Sequence, residues 1–84
     1  MKLYHVTTPK KAKYYRDTGY IQKPVRGFTT LMAAMAWAIK TGRTVIYSVT
    51  GDPAFKLPDH HNQFGEAWWL DENVPVEKIK CVRW

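Results

Sequence analysis

Eighty-four residues, 45% of them apolar, make one domain with a single hydrophobic core and exclude an intrinsically disordered chain. Thirteen Lys and Arg against seven Asp and Glu give a net charge of +6, which favours encounter with polyanions or phosphorylated ligands. No apolar run reaches the roughly 18 residues of a membrane span, the first residues lack the apolar segment of a secretory signal, and Cys81, the single cysteine, has no internal partner, so a reducing, cytoplasmic setting is expected.

Leu3 to Thr7 is apolar and β-branched, which predicts a short strand. Thr8-Pro9 then reads as an N-cap followed by proline at the first helical position, with the helix running to Thr18 and Gly19 as its left-handed stop. Its apolar stripe is thin, chiefly Ala12 and Tyr15, which predicts a surface helix. Lys10, Lys11, Lys13 and Arg16 are interleaved there with Tyr14 and Tyr15. Such a mixture suits base stacking and phosphate neutralisation, and it suits equally a solvated face with both tyrosines packed inward.

Beyond the connection Tyr20 to Pro24, Val25 to Thr30 reads as a second strand, with Thr30 as the cap of a helix over Leu31 to Thr41 that Gly42 ends. Leu31, Ala34, Met35 and Ala38 fall at i, i+3, i+4 and i+7, flanked by Met32, Ala36 and Ile39, so this helix is expected to be buried against a sheet. Thr44 to Thr50, dominated by β-branched and aromatic residues, predicts a strand, closed by Gly51-Asp52-Pro53. Residues Ala54 to Gly65 form a long irregular stretch of the kind that often carries function. Strands are expected again at Glu66 to Leu70 and, after the turn Asp71-Glu72-Asn73, at Ile79 to Trp84. This order predicts an α+β fold in one compact domain, residues 1–84, with a mixed, mostly antiparallel sheet and two helices.

Three positions carry potential chemistry: His5 on the first strand, Thr29-Thr30 ending the second, and Glu66 at a loop–strand junction. A histidine donates or accepts a hydrogen bond according to its tautomer. An ionised glutamate stabilises developing positive charge. His60 and His61, next to Asp59, are adjacent ligands without the i, i+4 spacing of a metal pair, so no metal is expected. Cys81 alternates with Val82 and is expected in the core, and neither a nucleophile elbow nor a glycine-rich phosphate loop is present. Trp68 and Trp69 should point to opposite faces of their strand.

The order of these segments resembles the ADP-ribosyltransferase-like superfamily. Leu3-Tyr4-His5-Val6-Thr7, a helix, Gly27-Phe28-Thr29-Thr30 and an apolar helix are similar to its N-terminal half. Gly65-Glu66-Ala67-Trp68-Trp69-Leu70, followed by Val74-Pro75-Val76-Glu77-Lys78-Ile79, is similar to its catalytic strand and exit. The resemblance implies a split sheet, NAD as substrate, and transfer of ADP-ribose to a protein or nucleic-acid acceptor. It implies that His5 contacts a ribose of NAD, that Thr7, Phe28, Thr29 and Thr30 line or support the nicotinamide pocket, and that Glu66 is the catalytic carboxylate. Phe28 stands where the family often has tyrosine, and Phe64 stands where it often has a second glutamate or glutamine, which argues against arginine as acceptor. The rival expectation is a non-catalytic module whose basic, aromatic surface binds nucleic acid or another partner.

Overall fold

The computed structural model describes residues 1–82. Its elements run β1 (Lys2–Thr7), α1 (Pro9–Thr18), β2 (Tyr20–Ile21), β3 (Val25–Phe28), α2 (Leu31–Thr41), β4 (Val45–Thr50), β5 (Phe55–Lys56), β6 (Ala67–Leu70), β7 (Val74–Pro75) and β8 (Lys80–Val82), with single 3₁₀ turns at Pro58–His60 and Val76–Lys78. The fold is a small α+β domain, and both helices end where the cap residues require. Thr8 accepts a hydrogen bond from the Lys11 amide and Thr30 one from the Ala33 amide, while Gly19 and Gly42 take positive φ at the C-termini.

Six strands form one sheet in the order β5-β6-β3-β1-β4-β8, and β2 pairs with β7 in a separate two-stranded ladder. Every pairing among the described strands is antiparallel, so the parallel component of the expected mixed sheet is absent there. Strand alternation sorts the side chains into two layers. Leu3, Val25, Tyr47, Val49 and Leu70 face α1 and the small ladder, packing with Ala12, Ile21 and Val74. Val6, Phe28, Ile46 and Ala67 face α2. Leu3, Ile21, Ile46 and Leu70 are fully buried, and each such side chain stabilises the fold by about 1.5–3 kcal/mol.

Several elements differ from expectation. The stretch 54–65 is partly ordered, with β5 and a 3₁₀ turn, because the Ala54 and Leu57 amides donate to β6 carbonyls at Trp69 and Ala67. The buried face of α2 is Ala33, Ala34 and Ala38, whereas Met35 is half-buried and Met32 and Ile39 are 61% and 71% exposed. Alanines let the helix backbone approach the sheet; longer side chains on that face would hold it off. Cys81 is exposed, contrary to its expected place in the core, and lies on β8, an edge strand of the sheet. Trp68 packs on the α1 layer, while Trp69 meets Phe55 edge-on at 6.0 Å, so the two do diverge. The expected final strand shrinks to Lys80–Val82, and its residues 83 and 84 lie outside the described part. No helix among the described residues is long and apolar enough to cross a membrane.

Candidate functional site

The central strands β1 and β3 pair at Tyr4 and Phe28, and their register stops there. The next link is made by a side chain: His5 Nδ1 lies 2.6 Å from the Arg26 carbonyl oxygen. A carbonyl only accepts, so Nδ1 carries the proton and Nε2 is an acceptor. The Tyr15 hydroxyl, 3.1 Å from Nε2, therefore donates to it, and the Thr7 hydroxyl lies 3.3 Å behind Tyr15. One relay thus ties β3, β1 and α1 together, with the imidazole at its centre.

Enclosure between β3 and α1 pushes the His5 pKa below its ordinary 6.5; the Arg26 carbonyl opposes this, and the cations of Lys11, Arg43 and Arg26 reinforce it. The neutral ring is the species that the relay requires. Because the folded state resists protonation more than the unfolded one, this contribution to stability is fully present above pH 6.5 and is lost as pH falls from there through the lowered value. The melting temperature should therefore drop on acidification below about pH 6.5, and His5→Gln should flatten that drop; an unchanged profile in the variant would place the titration elsewhere.

Around this gap lies a cavity of about 550 Å³, of the size that holds small-molecule ligands. His5, Thr7 and Tyr15 line one side, and Phe28, Trp37 and His60 the other. Lys11, Arg26 and Arg43 bring positive charge, and no carboxylate is among the described lining residues. Such a chamber suits an anionic ligand with a planar ring, through cation–phosphate attraction and stacking.

Of the six residues expected at the site, His5, Thr7 and Phe28 line the cavity, while Thr29, Thr30 and Glu66 do not. Those three instead form a second cluster. The Glu66 amide donates to Thr29 Oγ1 at 3.1 Å, and the Thr29 amide donates to the Glu66 carbonyl at 2.9 Å, continuing the β3–β6 ladder. Thr30 Oγ1 donates to the Phe64 carbonyl at 2.7 Å while capping α2. Gly65 is wedged between them: a Cβ there would stand 2.8 Å from Thr30 Oγ1 and 3.0 Å from Thr29 Oγ1. Glu66 is thereby set at a fixed place beside the α2 N-terminus. Its exposed carboxylate accepts from Trp68 Nε1 at 3.1 Å and pairs with Lys56 at 3.6 Å.

The two clusters share one side of the sheet. A Cβ on Gly27 would stand 2.8 Å from Leu3 Cβ, so Gly27 faces the side of the sheet that Leu3 and, two residues on, His5 face, and Gly27 pairs with Trp68. His5, Gly27 and Trp68 therefore share one face, as does Glu66, two residues before Trp68. Loop 54–65 borders the cavity through Leu57 and His60. Tyr15, Trp37 and the juxtaposed cations were not assigned to the site from the sequence; an aromatic residue facing inward on an otherwise basic helix was the one available signal for Tyr15. The histidines at 60 and 61 serve separate ends, His60 against Trp37 at 5.0 Å and His61 Nδ1 accepting the Ala67 amide at 2.8 Å. No group of three potential metal ligands exists among the described residues.

No protein-family model, curated protein or solved structure matches the chain.

Proposed function

We propose that this domain is a compact ADP-ribosyltransferase-like protein that binds NAD in the cavity beside His5 and transfers its ADP-ribose to an acceptor. The observation that carries the reading is the cavity itself, opened where β1 and β3 part and lined by a neutral histidine, aromatic rings and cations, with no carboxylate among the described lining residues. Lys11, Arg26 and Arg43 suit the pyrophosphate. A ribose hydroxyl replaces the Tyr15 hydroxyl as the donor to His5 Nε2, at little cost because one hydrogen bond is exchanged for another.

In the reaction the bond between ribose C1′ and the nicotinamide nitrogen breaks, and nicotinamide leaves neutral with the bonding pair. The acceptor oxygen or nitrogen forms the new bond to C1′, and its proton passes to Glu66 or to water. Positive charge grows on the ribose ring as the bond breaks, and the ionised Glu66 carboxylate on the same sheet face stabilises it. Loosening of the exposed Lys56 ion pair frees that carboxylate cheaply, since such pairs contribute about 0–1 kcal/mol.

A second reading is favoured by one observation: Glu66 stands outside the cavity lining, paired to Lys56. On that reading the chain binds its ligand without turnover. Titrating the purified protein with NAD while following tryptophan fluorescence and free nicotinamide separates the two. Trp37 lines the cavity, so binding should alter its emission. Saturable binding with nicotinamide release is the expected result; binding without release favours the second reading, and no binding overturns the NAD assignment.

A further inference from the structure

The basic helix α1 gives the cavity Lys11, Tyr14 and Tyr15, and the surroundings of Lys11 and Tyr14 give the acceptor a chemical class. Ala12 is buried and Tyr15 half-buried against the sheet, so α1 presents Lys10, Lys13 and Tyr14 outward. Lys13 and Tyr14 neighbour Lys10 at i+3 and i+4, and Lys11 sits three residues before Tyr14 on the cavity side. Tyr14 does not pack inward. It is 50% exposed at the cavity rim, with its hydroxyl accepting from the Gln22 side-chain amide at 3.3 Å, and Gln22 also lines the cavity. A tethered, half-exposed ring flanked by three lysines, leading into a cation-lined chamber, is more than a solvated helix face requires.

We infer that the acceptor is a single-stranded nucleic acid that crosses α1 on Lys10 and Lys13, stacks a base on Tyr14 and enters the cavity beside Lys11. Lysines neutralise the phosphates without reading sequence, and the ring stacks any base, so recognition by this surface is sequence-tolerant. Asp17 is the one acidic residue on the helix. The inference rests on the transferase reading for its chemistry, and on the exposed face of α1 for its partner.

The test uses a fluorescein-labelled uridine 12-mer and anisotropy. With three lysine–phosphate contacts, affinity should fall about 20-fold between roughly 50 and 200 mM salt. Tyr14→Ala should cost about tenfold, and Lys10→Glu with Lys13→Glu should weaken the oligomer by about tenfold or more. Neither lysine lines the cavity, so the double variant should bind NAD as the parent does. Failure of the parent to bind the oligomer while it binds NAD overturns the acceptor assignment alone. Equal binding of a glutamate-rich peptide overturns it in favour of a protein acceptor. Oligomer binding without NAD binding overturns the transferase reading and leaves the strand-binding surface standing.

Discussion

Glu66→Gln should leave the protein folded and NAD bound, yet slow nicotinamide release by about 100- to 1000-fold, the usual cost of removing one charge-stabilising group. The amide retains an oxygen to accept from Trp68 Nε1, and the backbone bonds to Thr29 do not involve the side chain. What disappears is the Lys56 ion pair, about half exposed on both sides, whose loss costs about 1 kcal/mol at most. The ground state is thus almost untouched, while the transition state loses its counter-charge, so kcat falls with little change in KM. Single-turnover release measured beside a binding titration checks the split. Full release by the variant would remove Glu66 from the chemistry.

The second large effect concerns stability. Ala34→Asp should cost about 4 kcal/mol or more, a large share of what a domain of this size possesses, because a carboxylate would enter a site of zero exposure with no partner. Ile39→Asp, on the same helix but 71% exposed, should change stability by about 0.5 kcal/mol at most. Urea midpoints of the two variants compare like substitutions on opposite faces of α2. Equal midpoints would mean that α2 does not seat on the sheet through its alanines.

That contrast shows how far the residues themselves could be read. The ends of α1 and α2 were legible because Thr8, Thr30, Gly19 and Gly42 act locally, through bonds to amides and carbonyls within one turn. Which face of α2 is buried was legible only in part. Periodicity marks a broad apolar stripe, but alanine and methionine satisfy it alike, and the closeness of the helix to the sheet selects the alanines. Cys81 was misread for a related reason: alternation predicts a strand but not that the strand lies at an edge.

The site divides along the same line. His5 and Glu66 were identifiable as polar residues at strand positions, and strand alternation with the β1–β3–β6 register sets them on one face. The cavity was not legible, because it depends on strand order: β3 must enter between β1 and β6, and its Arg26 carbonyl must meet an imidazole. Thr29 and Thr30 were read as pocket residues; the α2 cap of Thr30 was legible locally, but the bonds that tie Thr29 to Glu66 and Thr30 to Phe64 cross 37 and 34 residues of chain, which conceals them.

The central claim is that NAD occupies the chamber around His5, and amide chemical-shift mapping tests it most directly. On titration of a ¹⁵N-labelled sample with NAD, the amides of Thr7, Lys11, Gln22, Gly27 and Ala67, all on the cavity wall, should shift together and saturate at one affinity. Residues remote from the chamber, such as Val76 and Glu77 beside the small ladder, should stay in place. Saturable shifts confined to the Val76–Glu77 region, or no saturable shifts at all, would contradict the account.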